Sequence, residues 1–190
     1  MHRRQALELL MAALPALAGS RPVWAGQWLP SPAVPEVPLL DHLGREVDLV
    51  ELMRQRPVVV NFFFTGCGTV CPPQTALLRE ASRQWRQRPA LNQVLVISIS
   101  VDALGDGPKQ LQAYADRFAL TLGESQGWVM LSGEVKPLAK VLAAFDVPAG
   151  RVSDHPALLW LGDESRSRWT RTSSLNSPAT VTRLLEALVS

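Results

Sequence analysis

Beyond its first 25 residues the chain has no surplus of either charge. Arg3, Arg4 and Arg21 against Glu8 account for the whole formal charge of +2, and residues 26–190 carry 16 basic and 16 acidic side chains. A sequence without a basic excess has no electrostatic footprint for a nucleic-acid backbone or for an anionic membrane surface. It also lacks internal repeats, and it lacks uninterrupted apolar runs of the roughly 20 residues that cross a bilayer, which excludes a polytopic membrane protein. Carboxylates are not clustered, which argues against a magnesium or calcium site. Cysteine is scarce, with only Cys67 and Cys71 in 190 residues. At 47% hydrophobic and 19% charged residues the composition is that of an ordinary globular domain, and it excludes a disordered chain.

The amino terminus carries the pattern of an export signal over residues 1–25. His2, Arg3 and Arg4 precede an apolar stretch from Leu9 to Ala18, and small residues follow at Ala18 and Ala25. Val23-Trp24-Ala25 offers a cleavage site that leaves Gly26 as the mature start, and Ala16-Leu17-Ala18 is its rival. An uncut leader would instead anchor the protein in the inner membrane. The Arg3-Arg4 pair permits a twin-arginine route, although its flanking residues do not complete that motif. The expected location is the periplasm or another exported compartment. Residues 26–36 hold Pro30, Pro32 and Pro35, a spacing that favours extended polyproline geometry and predicts a tether. The folded domain is expected over residues 37–190.

Within that domain strands and helices alternate. Val37–Leu40 and Glu46–Leu49 flank the turn Asp41-His42-Leu43-Gly44 and predict an amino-terminal hairpin. Val58–Phe64 is a continuous β-branched and aromatic run, the pattern of a strand buried on both faces. Leu78, Ala81 and Trp85 fall at helical spacing behind Pro72-Pro73, and proline suits a first helical turn because its missing N–H would have no partner there. Val94–Val101, Trp128–Leu131 and Ala157–Leu161 are further strands, with Ser167–Thr172 able to pair with the last. Helical stripes run through Leu111, Tyr114, Ala115 and Phe118, through Val135, Leu138, Leu142 and Phe145, and through Val181, Leu184, Leu185 and Leu188 behind Ser177-Pro178. The alternation predicts an α/β layered fold with a central, mostly parallel sheet flanked by helices. The aromatic and Met residues on these stripes are core positions.

Chemistry concentrates at Thr65-Gly66-Cys67-Gly68-Thr69-Val70-Cys71-Pro72. The cysteines sit where a buried strand runs into a helix amino terminus. A helical first turn would place both sulfurs on one face, within reach of each other or of one metal ion. Unpaired N–H groups and the helix dipole favour thiolate over thiol there, improving the sulfur both as nucleophile and as ligand. A purely structural disulfide is the weaker reading, because closing so small a loop constrains the unfolded chain little.

His155, in Val152-Ser153-Asp154-His155-Pro156, precedes the Ala157 strand. Loops at the carboxyl ends of neighbouring strands in an open α/β sheet converge on one edge, so His155 is expected to join the cysteines there. His42, in a polar turn, is read as an ordinary solvated side chain. Two thiolates and an imidazole suit copper, particularly Cu(I), with zinc as the other candidate.

These segments resemble the Sco/SenC family of thioredoxin-like copper chaperones, which are associated with assembly of the binuclear copper site of cytochrome c oxidase. The similarity runs through Val60-Asn61-Phe62-Phe63-Phe64-Thr65-Gly66-Cys67-Gly68-Thr69-Val70-Cys71-Pro72, with its C-x3-C-P motif. It continues through Ile97–Asp102, Asp106-Gly107-Pro108, Leu111–Phe118, Trp128–Gly133 and Asp154-His155. The resemblance implies a thioredoxin-like fold, Cys67, Cys71 and His155 as ligands of one copper ion, Cu(I) or Cu(II), and a copper-receiving oxidase subunit or another copper protein as partner. Ala103 and Pro156 stand where family members usually carry proline and serine or threonine. Asp154 either orients His155 or caps its turn.

A competing reading is a thiol-disulfide oxidoreductase in which Cys67 attacks a substrate disulfide and Cys71 resolves the mixed disulfide. The usual motif has two intervening residues where this chain has three. Such an enzyme has no need of His155, whereas a copper site would lose its third ligand without it. A glutathione-peroxidase-type thiol peroxidase, suggested by Cys67-Gly68-Thr69, lacks here the expected glutamine segment and the later tryptophan-asparagine pair.

Overall fold

The computed structural model describes residues 28–148 and 151–190. The export-signal and cleavage-site readings concern residues outside that range.

A seven-stranded sheet organises the chain, in the order β2-β1-β5-β4-β3-β6-β7. The hairpin strands β1 (Leu39–Asp41) and β2 (Glu46–Val47) turn at Gly44, whose φ of 76° is the left-handed conformation glycine adopts without strain. The strand β3 (Val58–Phe63) lies between β4 (Leu95–Ser100) and β6 (Leu158–Asp163), and all six of its residues are buried. The strand β5 (Trp128–Ser132) lies outside β4, and β7 (Arg168–Ser173) is the far edge.

The central strands β3, β4 and β5 run parallel, as their helical crossovers require. The flanks depart from the expected mostly parallel arrangement. Strand β6 pairs antiparallel with β3, β7 with β6, and β1 with β5, so the sheet as a whole is mixed.

Among the described residues, five α-helices cover the two faces. On one side α2 (Cys71–Trp85), α3 (Pro108–Arg117) and α5 (Pro178–Val189) bury Leu78, Trp85, Leu111, Tyr114, Val181 and Leu185 against Val59 and Phe63. On the other side α1 (Leu49–Gln55) and α4 (Val135–Ala144) bury Leu52, Met53, Leu138 and Val141 against Val58, Val60 and Phe62. Full burial of such aliphatic and aromatic side chains stabilises the fold by about 1.5–3 kcal/mol each. The polar Asn61 and Ser98 are neighbours in register, and they survive burial because they bond each other. The hydroxyl of Ser98 donates to Asn61 Oδ1 at 2.7 Å and accepts from Trp128 Nε1 at 2.9 Å.

Two local expectations change. The sequence pattern predicts strand through Leu49, but Asp48 caps a short helix there, its carboxyl accepting from the Glu51 N–H at 3.1 Å. The spacing of Asp48 and Glu51 was the available signal. The described part of the proline-rich segment, residues 28–36, carries no helix and lies against the domain instead of hanging free. Leu29 N–H donates to the Trp169 carbonyl at 2.7 Å, Ser31 bonds Glu164 at 2.8 Å, and Pro32 is buried. Among the described residues, no helix is long and apolar enough to cross a membrane.

Candidate metal and thiol site

The site forms where β3 ends. Phe64 to Cys67 make a turn closed by a hydrogen bond from the Cys67 N–H to the Phe64 carbonyl at 3.1 Å, and α2 then begins at Cys71 itself. Proline at the next two positions costs this helix nothing, since first-turn N–H groups have no helical partner. Cys67 therefore precedes the helix and does not share its first turn, contrary to the spacing argument. The two sulfurs are brought together differently: the Cys71 N–H, one of the unpaired donors of the helix end, points at Cys67 Sγ across 3.3 Å.

Both cysteines are free thiols and buried. Their environments push them apart. Burial raises the Cys67 thiol, but bonds from the Cys71 side chain and from the N–H groups of Cys71, Thr69 and Val70 outweigh it and bring the pKa down to about 7. Cys71, buried more deeply and donating toward Cys67, is pushed up to about 12.

His155 reaches the same place from the other side of β3. Its Nε2 lies 3.8 Å from Cys71 Sγ, and its ring meets Phe64 edge-on with centroids 5.7 Å apart. The route differs from the expected one, because His155 precedes β6 and so does not follow the carboxyl end of a strand. Strand β6 runs antiparallel to β3, with Leu159 opposite Asn61, and this places the loop before β6 beside the loop after β3. The Val152 carbonyl lies 2.8 Å from His155 Nδ1. A carbonyl only accepts, so Nδ1 carries the proton and the Nε2 lone pair is left for a ligand.

Asp154 does not orient the imidazole. Its carboxylate takes Arg151 and the Ser153 hydroxyl, each at 3.0 Å. Cys71 thus meets both other candidate ligands, while no hydrogen bond joins Cys67 to His155. Among the described residues no three His, Cys, Asp or Glu side chains already close on a single point. The donor set nevertheless fits a soft ion. It comprises one readily formed thiolate, a second thiol beside it, and an imidazole nitrogen with its lone pair free; closure on a metal would release the remaining thiol proton. His42 has no part in this site; its Nδ1 is buried without a partner, in the turn after β1.

The loop is held by residues outside the candidate ligands. Asp106, at 3% exposure, accepts from the Thr65 N–H at 2.9 Å and the Thr65 hydroxyl at 2.6 Å. Asp106 is a residue that local sequence patterns do not single out; the signal it offers there is an acidic side chain just ahead of Gly107-Pro108 and a helix.

A family model described as SCO1/SenC matches residues 30–190. The SCO1 protein homolog of Bacillus subtilis (strain 168) is 33% identical over 90 residues, 47% of this chain and 44% of that protein, so the match spans less than half of that relative. The structure of Bradyrhizobium japonicum ScoI with copper bound superposes with a TM-score of 0.65 at 26% identity, covering 80% of this chain and 96% of that one. BsSco, described as a member of the Sco family of cytochrome c oxidase assembly proteins, superposes at 0.69 over 86% of this chain and 96% of its own; at 22% identity that likeness bears on the fold.

Proposed function

This chain belongs to the SCO1/SenC family, and on that premise we propose that it is an exported copper metallochaperone. It holds one copper ion through Cys67, Cys71 and His155 and passes it to the copper site of cytochrome c oxidase or to another copper protein. Residues 1–25 export it, and residues 26–36 join that segment to the domain. The observation that carries the reading is the approach of His155 Nε2 to Cys71 Sγ at 3.8 Å from a loop 84 residues away, with Nδ1 already committed to a backbone carbonyl. A histidine tied in that way presents one nitrogen to a metal in a fixed direction.

Copper is the cargo of this site. Cys67 supplies the thiolate formed most easily, Cys71 joins by giving up its proton, and the imidazole completes a soft three-donor set that favours Cu(I). The structure of the ScoI relative has copper bound, and the oxidase-assembly role is that of the family to which BsSco is assigned.

Anaerobic Cu(I) titration of the reduced chain, in competition with a chromophoric chelator, tests the proposal. Wild type takes up one equivalent. His155→Ala weakens binding by at least about tenfold, the scale on which such site changes act, while Asp154→Ala changes it little because its carboxylate serves Arg151 and Ser153. Binding indifferent to His155 would overturn the three-ligand site.

The split between the thiols favours a second reading, a thiol-disulfide exchange activity on the same pair. Cys67 thiolate attacks one sulfur of a substrate disulfide and expels the other as thiolate. Cys71 then displaces Cys67's new partner, leaving a Cys67–Cys71 disulfide and a substrate reduced by two electrons. Reduction of a model disulfide that persists in His155→Ala would place this activity first.

A further inference from the structure

Thr65 is the first central residue of the turn that delivers Cys67, and each of its polar groups is held by a residue distant in sequence. Its N–H and hydroxyl donate to the two oxygens of the Asp106 carboxyl at 2.9 and 2.6 Å. Its carbonyl accepts from the Arg117 guanidinium at 2.8 Å. Asp106 is in turn fixed by the Ser100 hydroxyl, which donates to it at 2.6 Å from the end of β4. The same turn presents Phe64 to His155.

Within the loop the Cys67 N–H closes the turn on the Phe64 carbonyl at 3.1 Å, but every polar group of Thr65 is left to partners outside it. Gly66 and Gly68 flank Cys67, and glycine loses more conformational freedom on ordering than any other residue. Around Gly68 there is open space where a side chain would stand. A loop of this composition keeps one shape only if something outside it imposes that shape.

We propose that Asp106 is a positioning residue for the dithiol: by gripping Thr65 it sets the turn that holds Cys67 against the amide end of α2. The two sulfurs then meet at a high effective concentration, for each other and for a shared ligand, without first paying the ordering cost of the loop. The metal part of this inference rests on the copper reading; the thiol part does not.

The test uses the full chain as wild type, Asp106→Asn, Thr65→Val and the double variant. Each is equilibrated with glutathione and glutathione disulfide, and each is titrated with Cu(I). In the first assay Cys67 and Cys71 lose two protons and two electrons to glutathione disulfide, giving the protein disulfide and two glutathione thiols. Asp106→Asn should shift that equilibrium about tenfold toward the dithiol. Thr65→Val should shift it less in the same direction, and the double variant no further than Asp106→Asn, because both act through one contact. Cu(I) affinity should fall in the same order.

A folded Asp106→Asn protein with an unchanged glutathione equilibrium would overturn the proposal, whatever its thermal stability, and so would additive effects in the double variant. Should Asp106→Asn fail to fold, Thr65→Val and the exposed Arg117→Ala decide the question by the same equilibrium. If wild type binds no Cu(I), the copper reading falls while the glutathione equilibrium still judges Asp106.

Discussion

The backbone N–H of Cys71 points at the sulfur of Cys67 across 3.3 Å, so the start of α2 serves one cysteine by means of the other. The N–H is one that a helix leaves unpaired at its first turn. The consequence is a division of labour between two identical side chains four residues apart.

That division is measurable as reactivity. Alkylation of the reduced protein by iodoacetamide, mapped by mass spectrometry, should modify Cys67 at a rate that rises with pH through about 7 and then levels off, because only the thiolate attacks. Cys71, with its thiol pushed up to about 12, should stay at least about tenfold slower throughout the neutral range. Equal rates for the two cysteines would contradict the geometry described here.

Acid stability should report on Asp41. Burial raises its carboxyl, but the Arg45 side chain and the N–H groups of Arg45 and Leu43 outweigh burial and hold it below the ordinary value of 3.8. A folded-state value below the unfolded one contributes stability that is complete above about pH 4 and disappears as pH falls through the folded-state pKa. Asp41→Asn should lower unfolding stability at pH 7 by about 1–3 kcal/mol. Chemical denaturation at a series of pH values should show the two proteins converging as the solution is acidified; a gap independent of pH would remove the carboxylate from the account.

Strand β6 contains a tight spot whose effect on stability can be read directly. A methyl group at Gly162 would stand 2.3 Å from the indole of Trp169, which is fully buried beneath the strand pairing of β6 and β7. Neither the ring nor the backbone has room to yield, so Gly162→Ala should destabilise the fold by about 1–3 kcal/mol. Thermal unfolding checks this, and an unchanged midpoint would mean that Trp169 repacks freely. The cysteine site lies at the opposite end of β6, and Cu(I) binding by the folded fraction should be unaffected.

The local structure around the candidate site is legible in the sequence. A buried apolar strand, two cysteines at its end, prolines opening a helix and a histidine before another strand are local patterns, and local patterns follow from propensity and capping. Those patterns suffice for the strand-to-turn-to-helix unit around Cys67 and Cys71, for the donor types and for the alternation that makes an α/β sheet.

Three features were decided by tertiary structure. The direction of β6 against β3 put His155 beside Cys71, because antiparallel pairing brings the start of one strand to the end of its neighbour; strand direction depends on the crossover between them and leaves no mark in the residues of either strand. The Val152 carbonyl, and not Asp154, accepts the hydrogen bond from the imidazole Nδ1–H, since the backbone of the short turn before His155 supplies an acceptor. The Asp106 grip on Thr65 joins residues 41 apart in the chain. A contact of that kind exists only after β3 and β4 lie side by side in register, which carries the ends of both strands to one edge of the sheet.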